Sequence, residues 1–151
     1  YTMNQGTLEF IVNYLPNNSN ILELGSGEGT GILSQYFSMI SIEHDENFIN
    51  RHESKWIHAP IVNEWYDTEV VRTSLKDLKY DLIIVDGPGG RAWQGKTKRI
   101  GFFDNIGLFN TNVPILIDDT DREDGKELVE KLSSKLSKAV QKINERSTIL
   151  L

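Results

Sequence analysis

The feature that most constrains this chain is an apolar run that takes in one acidic residue and then breaks into glycines: Ile21-Leu22-Glu23-Leu24-Gly25-Ser26-Gly27-Glu28-Gly29-Thr30. The run predicts a strand from Asn20 to Leu24, a tight turn, and a helix from Thr30 to Phe37. Glycine tolerates positive φ and lets backbone approach a neighbour or a ligand closely. The helix that follows aims unpaired amides into the same space. In a parallel α/β sheet that space is the crevice where nucleotide-like ligands sit.

Two details narrow the ligand. A dinucleotide fingerprint, G-x-G-x-x-G from Gly25, would need glycine at position 30, where Thr30 stands. Glu23 puts a carboxylate beside the loop, which suits a cationic amino group and is badly placed for a pyrophosphate. A second acidic residue, Glu43, ends the predicted strand Met39 to Glu43 and precedes the polar turn His44-Asp45-Glu46. A carboxylate there suits paired ribose hydroxyls; the alternative is a solvated strand end. The segment from Glu23 to Gly29 resembles the first motif of class I S-adenosylmethionine (SAM) dependent methyltransferases, an acidic residue followed by G-x-G-x-G. The resemblance implies a SAM site built from Glu23, Gly25, Ser26, Gly27, Gly29, Thr30, Glu43, His44 and Asp86.

Periodicity and punctuation set out the rest. A leading helix is expected over 4–14, from Leu8, Ile11, Val12 and Leu15 at helical spacing, and Pro16-Asn17-Asn18 breaks it. A helix is expected near Glu46 to His52, a short strand from Trp56 to Pro60, and a helix within 66–78. Asp81 to Val85 and Pro114 to Ile117 read as buried parallel strands. Arg99 to Leu108 reads as a helix, and so does Arg122 to Ile143, with Leu128, Leu132, Leu136, Val140 and Ile143 on its apolar face. Ser147 to Leu151 reads as a last strand. The expected architecture is one α/β domain over 1–151, a doubly wound, mostly parallel sheet of the Rossmann-like methyltransferase type. It has five parallel strands and at most one more.

Three further segments carry chemistry. Tyr80-Asp81-Leu82-Ile83-Ile84-Val85-Asp86-Gly87-Pro88 places Asp86 at a strand tip, and resembles a pattern found in a subset of these methyltransferases, where the tip lies beside the transferable methyl. A turn that merely ends the strand is the alternative. Gly90 to Thr97 satisfies the phosphate-loop pattern G-x-x-x-x-G-K-[ST]. Against that reading stand the four residues between strand end and Gly90, and the bulk of Arg91, Trp93 and Gln94. Otherwise Arg91, Lys96, Lys98 and Arg99 form a basic segment suited to an anionic substrate. Finally, Asp118 and Asp119 end the strand expected next to Asp86. The resemblance to metal-dependent O-methyltransferases implies a divalent cation such as Mg²⁺ on Asp86, Asp118 and Asp119, although Asp-Asp stands where that group has Asp-Asn. The two residues read equally as structure, with Thr120 or Asp121 capping the helix that follows.

Composition excludes several classes. The 151 residues carry a net charge of −6, which does not favour nucleic-acid binding. With no cysteine there is no disulfide, thiolate metal site or cysteine nucleophile. No apolar run reaches membrane-spanning length and no signal peptide is visible, so a cytoplasmic setting is expected. The expected activity is SAM-dependent methyl transfer to an oxygen of a small or glycan-like, anionic acceptor, with Asp86 and Asp118 as catalytic candidates. The alternatives are a phosphate-loop ATPase or kinase and a SAM-binding module without turnover.

Overall fold

The computed structural model describes residues 3–89 and 95–151. Helix α1 (Gln5–Tyr14) leads into strand β1 (Asn20–Leu24), helix α2 (Glu28–Leu33) and strand β2 (Ser38–Glu43). Strand β3 (Lys55–His58) is followed by a hairpin of β4 (Ile61–Val62) and β5 (Trp65–Tyr66), then helix α3 (Thr68–Leu75) and strand β6 (Leu82–Val85). Helix α4 (Gly101–Asp104), strand β7 (Ile115–Asp118), helix α5 (Glu123–Leu136) and strands β8 (Val140–Lys142) and β9 (Ser147–Leu150) complete the chain.

Seven strands form one sheet in the order β3-β2-β1-β6-β7-β9-β8. β3, β2, β1, β6 and β7 are mutually parallel, while β9 runs antiparallel to β7 and β8 antiparallel to β9. Alternate residues of each strand face opposite sides. Leu22, Leu24, Ile83, Val85, Ile115 and Ile117 pack with Val71 of α3, Phe102 of α4 and Leu128 and Leu132 of α5. Ile21, Leu82, Ile84 and Leu116 face the other way, onto Leu8 and Ile11 of α1 and Leu33 of α2. Both faces are therefore buried, which is why these strands read as continuous apolar runs. Strand order reverses between β1 and β6, so the carboxyl ends of β2, β1 and β6 surround a topological switch point.

The structure departs from expectation in several elements. Two strands, not one, lie beyond the fifth parallel strand. The expected helix to Ile143 ends at Leu136, where Ser137 takes a left-handed conformation (φ 53°), and the chain turns into the exposed edge strand β8. Residues 46–52 form successive turns, with Asn50 at φ 67°, rather than a helix. The helix expected within 66–78 is present as α3, capped by Asp67, which accepts from the Glu69 amide at 3.0 Å, and Trp65 and Tyr66 precede it in the β4–β5 hairpin. The expected helix from Arg99 is a four-residue α4 followed by a 3₁₀ turn at Ile106–Leu108. Among the described residues no helix is long and apolar enough to cross a membrane.

Candidate functional site

The tips of β1 and β6 touch through glycine. Gly25 sits at φ 88°, and a Cβ there would lie 2.6 Å from the Asp86 carbonyl oxygen. A Cβ on Gly87 would lie 3.0 Å from the Gly25 Cα and 2.4 Å from the Tyr66 hydroxyl oxygen. The glycine at the head of the loop thus brings two strand tips together. Gly27 donates its amide to Thr30 Oγ1 at 3.2 Å, and Gly29 packs on Leu8 and Met3. Gly27 thus acts within the loop and its helix, while Gly29 faces α1 and Met3 ahead of it.

The two glutamates are buried and hydrogen-bonded. Glu23 accepts hydrogen bonds from the hydroxyls of Thr30, at 2.7 Å, and of Ser41. It lies beneath the loop, on the α2 face of the sheet, rather than facing the cleft. Burial raises its pKa from 4.5 to about 7, against the lowering effect of the two hydroxyls. Glu43 Oε1 accepts from the Ser26 hydroxyl at 2.7 Å and the Ser26 amide at 3.2 Å. Its Oε2 accepts from the amides of His44 and Asp45 at 2.8 and 3.0 Å. Four donors fill the lone-pair capacity of a carboxylate. Glu43 is therefore no solvated strand end; it ties the β1 loop to the β2 turn. His44 is also buried, and burial lowers its pKa.

These groups border a narrow cleft of about 60 Å³, lined in part by Gly25, Ser26, Glu43, His44, Asp86 and Arg99. Drug-sized ligands occupy roughly 300–1,000 Å³. Ser26, bonded to Glu43, stands where the cleft would have to open.

At the other end of the switch point the three aspartates do converge. One carboxylate oxygen from each of Asp86, Asp118 and Asp119 lies within 4.8 Å of the others. Arg99, its side chain only 10% exposed, lies among them. Its guanidinium donates to the Asp118 carbonyl at 3.0 Å and the Asp86 carbonyl at 3.2 Å, and pairs with the carboxylates of Asp119 at 3.0 Å and Asp86 at 3.4 Å. Asp119 is further paired with Arg146 at 3.1 Å and Arg122 at 3.9 Å. Asp118 accepts from the Ser147 hydroxyl at 2.8 Å, and Ser147 in turn accepts from Thr7 of α1 at 2.8 Å. Burial raises the pKa of Asp86 well above its ordinary value, and the neighbouring aspartates add to this against Arg99. The arginines hold Asp119 below the ordinary range in spite of its burial. A divalent ion wants hard oxygen donors that are free to turn toward it. One oxygen of Asp86, one of Asp118 and both of Asp119 are engaged by guanidiniums or a hydroxyl, and the Arg99 cation stands among them, so the group as arranged does not fit such an ion.

Other expectations are met in part. Neither Thr120 nor Asp121 caps α5; its N-cap residue is Arg122, whose side chain makes no cap bond. Residues 90–94 of the phosphate-loop pattern, and Arg91 with them, lie outside the described residues. Thr97 bonds the Pro88 carbonyl at 3.4 Å, and among the described residues that follow Gly89 no helix starts until Gly101, whereas a phosphate loop opens directly into one. Two members of the basic segment are paired within the chain: Arg99 turns inward, and Lys98 makes an exposed pair with Glu64 at 3.0 Å. Sequence reasoning missed Ser147. Tyr66 is fully buried, and its hydroxyl has no hydrogen-bond partner among the described residues.

No family model matches the chain. No curated protein matches it either. Solved structures do. MycE methyltransferase from the mycinamycin biosynthetic pathway, in complex with Mg, SAH and mycinamycin VI, is 13% identical with a TM-score of 0.57 over 94% of this chain and 47% of that one. This chain therefore spans about half the length of that enzyme. A methyltransferase-like protein from Silicibacter pomeroyi is 18% identical, with a TM-score of 0.61 over 100% of this chain and 87% of the other. Precorrin 8w decarboxylase from Methanobacterium thermoautotrophicum is 14% identical, with a TM-score of 0.62 over 99% and 89%. At these identities the likeness shows the fold, that of class I SAM-dependent methyltransferases. Function must be argued from the site.

Proposed function

We propose that the chain binds SAM across the tips of β2, β1 and β6 and transfers its methyl group to an oxygen of a small or glycan-like acceptor. The observation that carries this reading is the convergence of Glu43, the Gly25–Ser26 turn and Asp86 on one cleft at the switch point. The comparisons add support at the level of fold, and MycE was solved with SAH.

The residues divide the work. Glu43 receives the ribose hydroxyls when Ser26 releases it, exchanging two internal donors for two from the ligand. Gly25 and the His44–Asp45 turn border the nucleoside. SAM supplies an electrophilic methyl on sulfur, and the protein's main contribution is alignment, worth up to ~7–11 kcal/mol of barrier. Asp86, at the β6 tip and lining the cleft, is the carboxylate placed to accept the proton of an acceptor hydroxyl. An anionic acceptor has less support than the sequence implied, because Lys98 and Arg99 are paired inside the chain. A SAM-binding module without turnover is favoured by one observation, the engagement of Asp86 with Arg99.

The test is calorimetry with SAH. Binding is expected, and Glu43→Ala should lose roughly 1.5–3 kcal/mol per charge-assisted bond removed. Affinity unchanged in that variant would sink the site assignment. Binding without transfer to any acceptor would favour the module.

A further inference from the structure

Three carboxylates at adjacent strand tips pose an electrostatic problem with two solutions. A divalent cation can bridge them, or a fixed cation of the chain can stand among them. Arg99 meets the second description on geometry alone. It reaches all three aspartates, two through main-chain carbonyls and two through carboxylates, and its side chain is nine-tenths buried. Arginine keeps its charge in any protein setting. An ion bridging the group would lie within a few ångströms of that guanidinium and be repelled by it. Other groups of the chain engage the same carboxylates: Arg146 and Arg122 pair with Asp119, and Ser147 donates to Asp118. Asp119 thus meets three guanidiniums, Asp86 shares one of them, and the Asp118 carboxylate is held by a hydroxyl.

We propose that the Arg99 guanidinium is the resident cation of the Asp86–Asp118–Asp119 group, taking the place of a divalent ion. On the SAM reading above, on which this rests, the cleft beside Asp86 is then ordered without metal. Arg99 is a positioning residue here. Its two carbonyl bonds clamp the ends of β6 and β7 at a fixed spacing, and its charge holds the acidic group together. The same geometry explains why Arg99 is not available to an anionic substrate.

The experiment is a titration of the full chain with Mn²⁺ at near-neutral pH, followed by electron paramagnetic resonance, with SAH calorimetry run in parallel in excess EDTA. The wild-type chain is expected to bind no Mn²⁺ up to millimolar concentration. Arg99→Met, checked for folding by circular dichroism, is expected to gain Mn²⁺ affinity at least tenfold, because it empties the place among the oxygens. SAH affinity of the wild type is expected to be the same with and without EDTA, within twofold. Micromolar Mn²⁺ binding by the wild type that disappears in Asp86→Asn would overturn the proposal. A folded Arg99→Met that gains no Mn²⁺ affinity would overturn it too, because the oxygens would then form no ion site even when vacated. Should Arg99→Met fail to fold, the wild-type titration decides by itself. A chain that binds no SAH in any buffer refutes the SAM reading and leaves the manganese result standing.

Discussion

The two ends of the switch point solve one problem in different ways. At the β1–β2 end, Glu23 and Glu43 are held by hydroxyls and main-chain amides. At the β6–β7 end, Asp86 and Asp119 are held by arginines, and Asp118 by a hydroxyl and its carbonyl's bond to Arg99. Neutral donors satisfy the lone pairs but bring no opposite charge, so burial still pushes Glu23 up to about 7. Guanidiniums bring charge, and Asp119 falls below the ordinary carboxylate range despite its burial. Asp86 shows the limit of that compensation. It has one arginine at 3.4 Å and two carboxylate neighbours, and it stays raised. The first end can give up a neutral donor to a ligand without exposing a charge. The second cannot release its cation so cheaply, and is built as a clamp.

Removing the clamp should have the largest effect. Arg99→Met leaves buried carboxylates without their shared cation, and breaking such a pair costs about 3–5 kcal/mol. Urea unfolding at pH 7 is expected to show a lower midpoint with an unchanged slope. The deficit should shrink toward pH 4 as the aspartates take up protons. A loss below about 1 kcal/mol would mean that the aspartates tolerate one another without Arg99, and the contrast between the two ends would fail.

The hydroxyl-held end predicts a smaller effect of a different kind. Glu23 has a higher pKa in the folded chain than in the unfolded one, so the folded state binds more protons between the two values. Stability from this group is therefore fully present below about pH 4.5 and is lost as pH rises through about 7. The gap corresponds to about 3 kcal/mol. Glu23→Gln keeps an oxygen for Thr30 or Ser41 and removes the titration. The difference in unfolding free energy between variant and wild type should move in the variant's favour from pH 4.5 to 7.5. Taking that difference also cancels the contribution of His44, whose lowered pKa acts with the opposite sign. Parallel pH profiles for the two proteins would show that the hydroxyls alone support the ionised carboxylate.

What could be read in advance follows from how local each signal is. The strands β1, β2, β6 and β7 were legible because strands buried on both faces are apolar throughout. Glu43, Asp86 and Asp118, at the ends of β2, β6 and β7, were legible as strand-tip groups for the same reason. Strand β8 was not, because Leu136, Val140 and Ile143 continue the helical spacing of α5 and nothing local marks the left-handed Ser137. Val140 is 53% exposed on that edge, so burial does not betray it either. The partner of each carboxylate was illegible in principle. Ser147 meets Asp118 from 29 positions away and Thr7 from 140. The alternating glycines predicted close approach correctly, but at Gly25 the approaching group is the β6 tip.

The smallest effect is expected at Arg122, and it sharpens the comparison by holding the partner constant. Arg122 and Arg99 both pair with Asp119 Oδ2, at 3.9 and 3.0 Å. Their side chains differ in exposure, 65% against 10%. An exposed pair gains little Coulomb energy in water, loses side-chain entropy and is screened by salt, so it contributes about 0–1 kcal/mol. Arg122 is also the N-cap residue of α5, but its side chain makes no cap bond, so Arg122→Ala removes little beyond the ion pair. Its cost in urea unfolding should stay under about 1 kcal/mol and vanish in 1 M salt, where screening acts within ~3 Å. The cost of Arg99→Met, set by burial, should persist in the same buffer. If Arg122→Ala proved as costly as Arg99→Met and equally insensitive to salt, burial would not be what separates the two arginines.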